Sequence, residues 1–277
     1  MSNLLELFDL SGKSAVITGG AGLLGLVFAK SLLEAGAIIH LLDVNETQLA
    51  SASESLLTAE NKDKIFIHVC DITDSEKIQA IIVEIESISG IDILINSAAV
   101  DPKFEQDDGG GVKNDGSFTS YSLENWRRSM DVNLTGAFIV TQQVCKVFEK
   151  TNKGVVVNIS SHYGIIGPDQ RIYKKVDGTQ DFFKPVDYSV TKAGIHGFTK
   201  ALASYYRGTN IRVNSLSPGG ALNKHDDLFV KQYSFNTILG RMAEPDEYKG
   251  AILFLCSDAS SYMTGGNLVV DGGWTST

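Results

Sequence analysis

Thr18-Gly-Gly-Ala-Gly-Leu-Leu-Gly25 is the segment that most narrows what this chain can fold into. It follows Ser14-Ala-Val-Ile-Thr18, a short apolar run that reads as a buried strand. It opens an apolar pattern of helical period over about residues 23–35. A strand, a glycine turn and a helix in immediate succession are the start of a βαβ unit, and hence of a parallel sheet. In that context the glycines let the backbone approach a pyrophosphate, and the helix N-terminus supplies oriented N–H groups. The next expected strand, Ile38 to Leu42, is followed by Asp43. A carboxylate about 20 residues past the turn accepts hydrogen bonds from ribose hydroxyls and repels a 2′-phosphate. The turn carries no Arg or Lys, so NAD is expected over NADP.

The alternation continues to the end of the chain. Strands are expected near 14–18, 38–42, 65–69, 91–95, 154–159, 211–216 and 267–270. Helices are expected near 23–35, 46–57, 74–88, 123–150, 188–206 and 246–256. This predicts an α/β protein: a Rossmann-like doubly wound parallel sheet of about seven strands with helices on both faces, binding ligands at the carboxyl ends of its strands. No linker divides the chain, so residues 1–277 are expected to form one NAD(P)-binding domain. Two segments break the pattern. Residues 101–120 are polar, contain Gly109-Gly-Gly111 and read as a mobile loop. Residues 165–187 form an insertion carrying Arg171, Tyr173, Lys174, Lys175, Phe182, Phe183 and Lys184.

Tyr188-Ser-Val-Thr-Lys192 supplies the chemistry. On a helix, residues four apart share a face, and a lysine ammonium beside a phenol favours the phenolate. That combination makes a general acid/base. A serine from Ser160-Ser161, at the end of the preceding strand, could bind the same substrate oxygen.

Taken in order, these motifs resemble the short-chain dehydrogenase/reductase family, in its compact single-domain form, from about Gly12 to the C-terminus. The glycine turn is joined by Asp71 in Cys70-Asp-Ile-Thr-Asp74, by Asn96-Ser-Ala-Ala99, and by Asn133 in Met130-Asp-Val-Asn-Leu-Thr-Gly136. Pro218-Gly219 and the terminal Val269-Val-Asp-Gly-Gly-Trp274 complete the set. The resemblance implies catalytic roles for Asn133, Ser161, Tyr188 and Lys192, with Ser161 rather than Ser160 because it stands three before Gly164. It implies cofactor contacts at Gly19, Gly22, Leu24, Gly25, Asp43, Asp71, Ile72, Asn96, Ala98, Tyr188, Lys192, Pro218, Gly219 and Ala221. Asp71 could instead cap a helix, and His162 could be a core residue as readily as a substrate contact.

The sequence departs from the family's pattern at four places. Leu23 stands where the compact branch has glycine, Asn96-Ser-Ala-Ala99 replaces Asn-Asn-Ala-Gly, and Asn223 holds a position often taken by threonine. The fourth is the gap from Ser161 to Tyr188, which is well beyond the usual separation. The insertion therefore leaves and returns beside the active site and is expected to form a wall or lid of the substrate pocket, with Ser161, His162, Arg171 and Tyr173 meeting substrate, or else to pack on a neighbouring subunit. Its character resembles that of oxidoreductases from bacterial surface-sugar and flagellin-glycan pathways.

The chain has 277 residues and a formal net charge of −9, which argues against nucleic acid or an anionic membrane as partner. No apolar run approaches the ~20 residues of a membrane span, and the N-terminus lacks the features of a secretory signal. Cys70, Cys145 and Cys256 read as buried thiols of a cytoplasmic protein, and the five histidines show no metal-ligand spacing. The expectation is an NAD-dependent oxidoreductase interconverting a secondary alcohol and a ketone, on a polar sugar or sugar-nucleotide, assembled as a homodimer or homotetramer. A 3-oxoacyl thioester reductase or polyol dehydrogenase is the alternative among enzymes. A non-catalytic NAD sensor is the alternative of another class, though it would have no need of an intact Ser-Tyr-Lys set.

Overall fold

The computed structural model describes residues 3–101 and 116–276. The first strand, β1 (Ser14–Thr18), is buried throughout, as a central parallel strand covered on both faces must be. Six further strands follow: β2 (Ile38–Asp43), β3 (Ile65–Val69), β4 (Ile93–Asn96), β5 (Lys153–Ile159), β6 (Asn210–Pro218) and β7 (Asn267–Val270). All pair in parallel, in the order β3-β2-β1-β4-β5-β6-β7. The order reverses between β1 and β4, so the connections leave in opposite directions there and open a crevice at the carboxyl edge.

Side chains alternating along each strand feed two cores. On one face Ala15, Ile17, Ile39, Leu41 and Ile93 pack against α1 (Leu23–Glu34), α2 (Glu46–Leu56) and α8 (Lys249–Cys256). On the other, Val16, Leu42, Leu94, Val156 and Val213 meet α3 (Ser75–Ser89) and α5 (Ala137–Thr151). The three cysteines are buried in these cores. Asn45, Asp74, Ser122 and Asp226 cap α2, α3, α4 (Leu123–Met130) and α7 (Asp227–Phe235) by accepting backbone N–H groups of the first turn.

Three elements differ from the sequence reading. The helix expected over 123–150 is α4 and α5 joined through a π-helical turn, Asp131–Gly136, that contains Asn133. The helix expected over 246–256 begins as a 3-10 turn at Pro245–Tyr248. Helix α7 was not anticipated, because nine residues with apolar positions around the cylinder carry little periodicity. The loop expected over 101–120 lies largely outside the described residues. The insertion contains only a 3-10 turn, Gln170–Tyr173, before the long helix α6 (Val186–Tyr205). No helix of the described residues is long and apolar enough to cross a membrane.

His40 and His68, on adjacent strands, are buried. His40 Nδ1 lies 3.1 Å from His68 Nε2, and His40 Nε2 lies 2.9 Å from Ser89 Oγ. One facing nitrogen must donate and the other accept, so the two rings cannot both be protonated. Burial, reinforced by His68, pulls His40 down to about 4. A depressed histidine pKa contributes stability that is complete above the unfolded value of about 6.5 and is lost as pH falls toward the folded value. The imidazole resonances of His40 should therefore titrate near 4, and urea unfolding should show stability falling by on the order of 2 kcal/mol between about pH 6.5 and pH 4. A His40 midpoint near 6.5 would contradict the buried pair.

Candidate active site

The glycine turn is shaped by contacts that tolerate no side chain. Gly19 has φ +65°, and a Cβ there would sit 2.7 Å from Ala98 Cα. A Cβ on Gly25 would fall 2.1 Å from Gly19 O. Gly22 is the N-cap of α1, so the first N–H groups of that helix point to the carboxyl edge without intrahelical acceptors. Thr18 Oγ1 accepts the N–H groups of Ser97 and Ala98, each at 3.1 Å, and ties the end of β1 to the end of β4. The Asp43 carboxylate accepts the N–H of Ala21 at 3.2 Å and of Asn45 at 3.1 Å, which places it beside the turn.

At the other end of the same cleft stand Ser161, Tyr188 and Lys192. A cleft of about 600 Å³ runs between the two ends, and Gly19, Gly22, Leu24, Gly25, Pro218, Gly219 and Ala221 also line it. Ser161 follows β5; its Oγ accepts the Tyr163 N–H at 3.2 Å, leaving the hydroxyl hydrogen to donate. Ser160 donates to Lys192 O at 2.7 Å. Lys192 is buried and donates from Nζ to Ile159 O at 2.9 Å. Burial pulls its ammonium down to about 8; the Asp101 carboxylate opposes that shift and Lys184 adds to it. Burial, and then Asp101, hold the Tyr188 phenol above its ordinary value, while its hydrogen bond with Ser161 pulls it down.

Asn133 lies beneath the cleft rather than in its wall. Its Oδ1 accepts the Val100 N–H at 2.8 Å, and its Nδ2 donates to Val100 O and Thr191 Oγ1, each at 3.2 Å. The π turn thus presents an amide that braces the exit of β4 against α6 one residue before Lys192. Asp71 caps no helix: it accepts the N–H and hydroxyl of Thr73 within its own turn, and Asp74 caps α3. Ile72 packs on Gly136 in the π turn. The Asn96 side chain is internal, donating to Thr141 Oγ1 at 2.7 Å and Asn158 Oδ1 at 2.8 Å, and Ala98 packs beneath Gly19. Neither these side chains nor those of Asp43 and Asp71 line the cleft itself.

The insertion returns over the cleft, with Tyr173 and Lys184 in its wall. Arg171 does not meet it. Its guanidinium is bound twice by Asp169, at 2.8 and 2.9 Å, on the outer surface, because the 3-10 turn that directs Tyr173 inward turns Arg171 outward. Lys175 pairs with Asp181, also outside. The insertion's charge at the cleft is Lys184, which the sequence reading did not single out. Gln170 clamps its backbone from both sides, accepting Lys184 N–H and donating to Lys184 O, each at 2.9 Å. Tyr163, Phe229 and Tyr233 also line the cleft, the last two from α7. Their spacing of four and the Asp226 cap were the available signals.

His162 is buried against Trp274 and Tyr233, with ring centroids 5.2 and 6.1 Å away. Burial takes its imidazole down to about 4, so it is neutral. With Nδ1 3.3 Å from Pro218 O, the proton sits on Nδ1 and Nε2 becomes an acceptor. Nε2 has no hydrogen-bond partner among the described protein atoms.

A family model described as enoyl-(acyl carrier protein) reductase matches residues 21–275. The chain belongs to the short-chain dehydrogenase/reductase family. It is 30% identical to a 3-alpha-(or 20-beta)-hydroxysteroid dehydrogenase of Mycobacterium tuberculosis, over 95% of this chain and 90% of the relative. It is 32% identical to the 3-oxoacyl-(acyl-carrier-protein) reductase of Aquifex aeolicus, over 95% and 98%. It is 30% identical to the post-translational flagellin modification protein A of Campylobacter coli, over 96% and 99%. Among solved structures, a Leptospira borgpetersenii short-chain dehydrogenase with bound NAD+ matches with TM-score 0.82 and 31% identity, over 99% of this chain and 96% of that one. A Burkholderia cenocepacia gluconate 5-dehydrogenase in complex with NADP and tartrate matches with TM-score 0.83 and 28% identity, over 99% and 100%. The family's activity is oxidation and reduction at CH–OH groups with a nicotinamide cofactor, and the narrow glycine cradle fits a pyrophosphate.

Gly25→Ala should then weaken binding of the nicotinamide dinucleotide by at least about tenfold, because its Cβ must push the Gly19 carbonyl out of the turn. Isothermal calorimetry reads this directly. Parental affinity in a folded Gly25→Ala protein would place the pyrophosphate elsewhere.

Proposed function

We propose that this chain is an NAD-dependent dehydrogenase/reductase that interconverts a secondary alcohol and a ketone on a hydroxyl-rich, sugar-like substrate. One observation carries the reading: Ser161, Tyr188 and Lys192 meet in the cleft whose far end is the glycine turn. When bound, the nicotinamide supplies the hydride acceptor or donor. In the oxidative direction Tyr188 takes the hydroxyl proton, Ser161 donates to the reacting oxygen as charge develops there, and Lys192 stabilises the phenolate from the adjacent turn of α6. Asn133 keeps α6 and the end of β4 in register beneath them. The same groups return a proton when a ketone is reduced.

The preference for NAD rests on charge. Asp43 lies beside the turn and Glu46 opens α2, while neither the turn nor Val44-Asn45 offers a cation for a 2′-phosphate. The substrate class rests on what the cleft presents. Tyr163, Tyr173 and Tyr233 line it with amphipathic aromatic rings. Arg171 and Lys175 are matched by Asp169 and Asp181, and Lys184 by Asp101, which disfavours selection for negative charge. The likeness to a gluconate dehydrogenase and to a flagellin-modification protein supports the same direction.

NADH absorbance across a panel of sugars, polyols and hydroxyacyl thioesters tests the substrate class; turnover confined to the thioesters would refute it. Tyr188→Phe should abolish turnover with NAD affinity nearly unchanged, since only the phenolic proton is lost. Residual activity within about tenfold of the parent would remove Tyr188 from the acid/base role. Asp43→Ala should weaken NAD binding and narrow its advantage over NADP, read from the two dissociation constants. Tighter NADP than NAD binding by the parent would overturn the cofactor preference.

A further inference from the structure

We propose that Lys184 is a second cationic partner of Tyr188, carried onto the face of its ring by the insertion, and that it stabilises the phenolate with Asp101 as its counter-charge. The proposal rests on the reading of Tyr188 as the acid/base. Lys184 Nζ stands 3.7 Å from the centre of the Tyr188 ring, whereas Lys192 Nζ stands 5.8 Å from it. The Lys184 side chain is 5% exposed, so little water screens it. A cation over an aromatic face is attracted by the ring's negative quadrupole. It gains far more when the phenol ionises and negative charge spreads into the ring.

Two contacts make this placement a built feature. Gln170 grips the Lys184 backbone by donating and accepting at 2.9 Å, fixing the residue four positions before Tyr188. Asp101, at the exit of β4, holds the ammonium at 2.6 Å. An ammonium has three protons, so this pairing leaves it able to face the ring. Because Asp101 neutralises Lys184, the lysine is poorly suited to capture an anionic substrate group. Its suited target is a charge that forms beside it only during reaction.

The other groups facing Tyr188 do not replace it. Along α6 are Lys192 and Asp187, whose buried carboxylate is taken up by the hydroxyls of Tyr121 and Ser129. After β5 come Ser161, Tyr163 and His162, which is neutral. The insertion adds Tyr173, α7 adds Tyr233, and β4 adds Asp101. Burial and Asp101 both hold the Tyr188 phenol up, so bringing it into working range requires a cation close to the ring. Lys184 is the closer of the two lysines to the ring centre.

The test follows tyrosinate absorbance of the NAD-saturated protein as pH is raised, with the Tyr188→Phe titration subtracted. The parent should show one Tyr188-dependent step. Lys184→Met should move it upward by about one unit or more, Lys184→Arg should leave it near the parent, and Asp101→Asn should move it downward. Turnover of Lys184→Met should fall at neutral pH and recover with alkalinity while KM for NAD stays unchanged, a split that general misfolding would not produce. An unmoved step in Lys184→Met, no downward shift in Asp101→Asn, or no Tyr188 step in the parent would each overturn the proposal. The titration needs no turnover, so its failure is distinct from that of the acid/base reading, which falls only if Tyr188→Phe keeps its activity.

Discussion

The structure depends on the junction where β1 and β4 lie side by side while their chains depart in opposite directions. A crevice opens there because no connection can cross it, and the backbones that border it must come close. The Thr18 hydroxyl draws in two consecutive N–H groups after β4, and Gly19 lies against Ala98 with no room for a Cβ. Any side chain at Gly19 would push β4 away and displace Val100, Asp101 and the amide of Asn133 that holds them. The glycine turn and the Ser161–Tyr188–Lys192 cluster are thus two ends of one construction.

At the far end the recurring theme is desolvation set against specific charge. Lys192 is drawn down to about 8 and still keeps most of its charge at neutral pH, while Tyr188 is held up, so burial leaves the phenol un-ionised. The arrangement counters this with two lysines, one sharing the helix of Tyr188 and one delivered by the insertion. Asp101 acts on both lysines and on the phenol. The insertion is thereby part of the electrostatics of the site as well as part of its wall.

Helix α7 and the C-terminal residues close the substrate side. Phe229 and Tyr233 reach Tyr173 and His162 from one direction, and Trp274 meets His162, Tyr163 and Tyr233 from another. This aromatic cluster is separate from the two cores that flank the sheet.

The strands, the glycine turn, Asp43 and the Tyr188–Lys192 pair were legible in the sequence because each rests on local physics. Strand burial is a run of apolar residues, a helix face is a spacing of four, and a turn without Cβ atoms needs glycine. What the sequence could not assign was which of several equivalent residues enters the cleft. Arg171, Lys174, Lys175 and Lys184 are alike as letters in a loop with no period. Only the 3-10 turn at Gln170–Tyr173 and the Gln170 clamp send Arg171 out to Asp169 and Lys184 in to Tyr188. The hydrogen bonds of Asn96 to Thr141 and Asn158, and of Asp71 to Thr73, are likewise invisible in the motifs that contain them. Those partners lie on other elements or depend on the turn's final shape, so only the tertiary structure decides them.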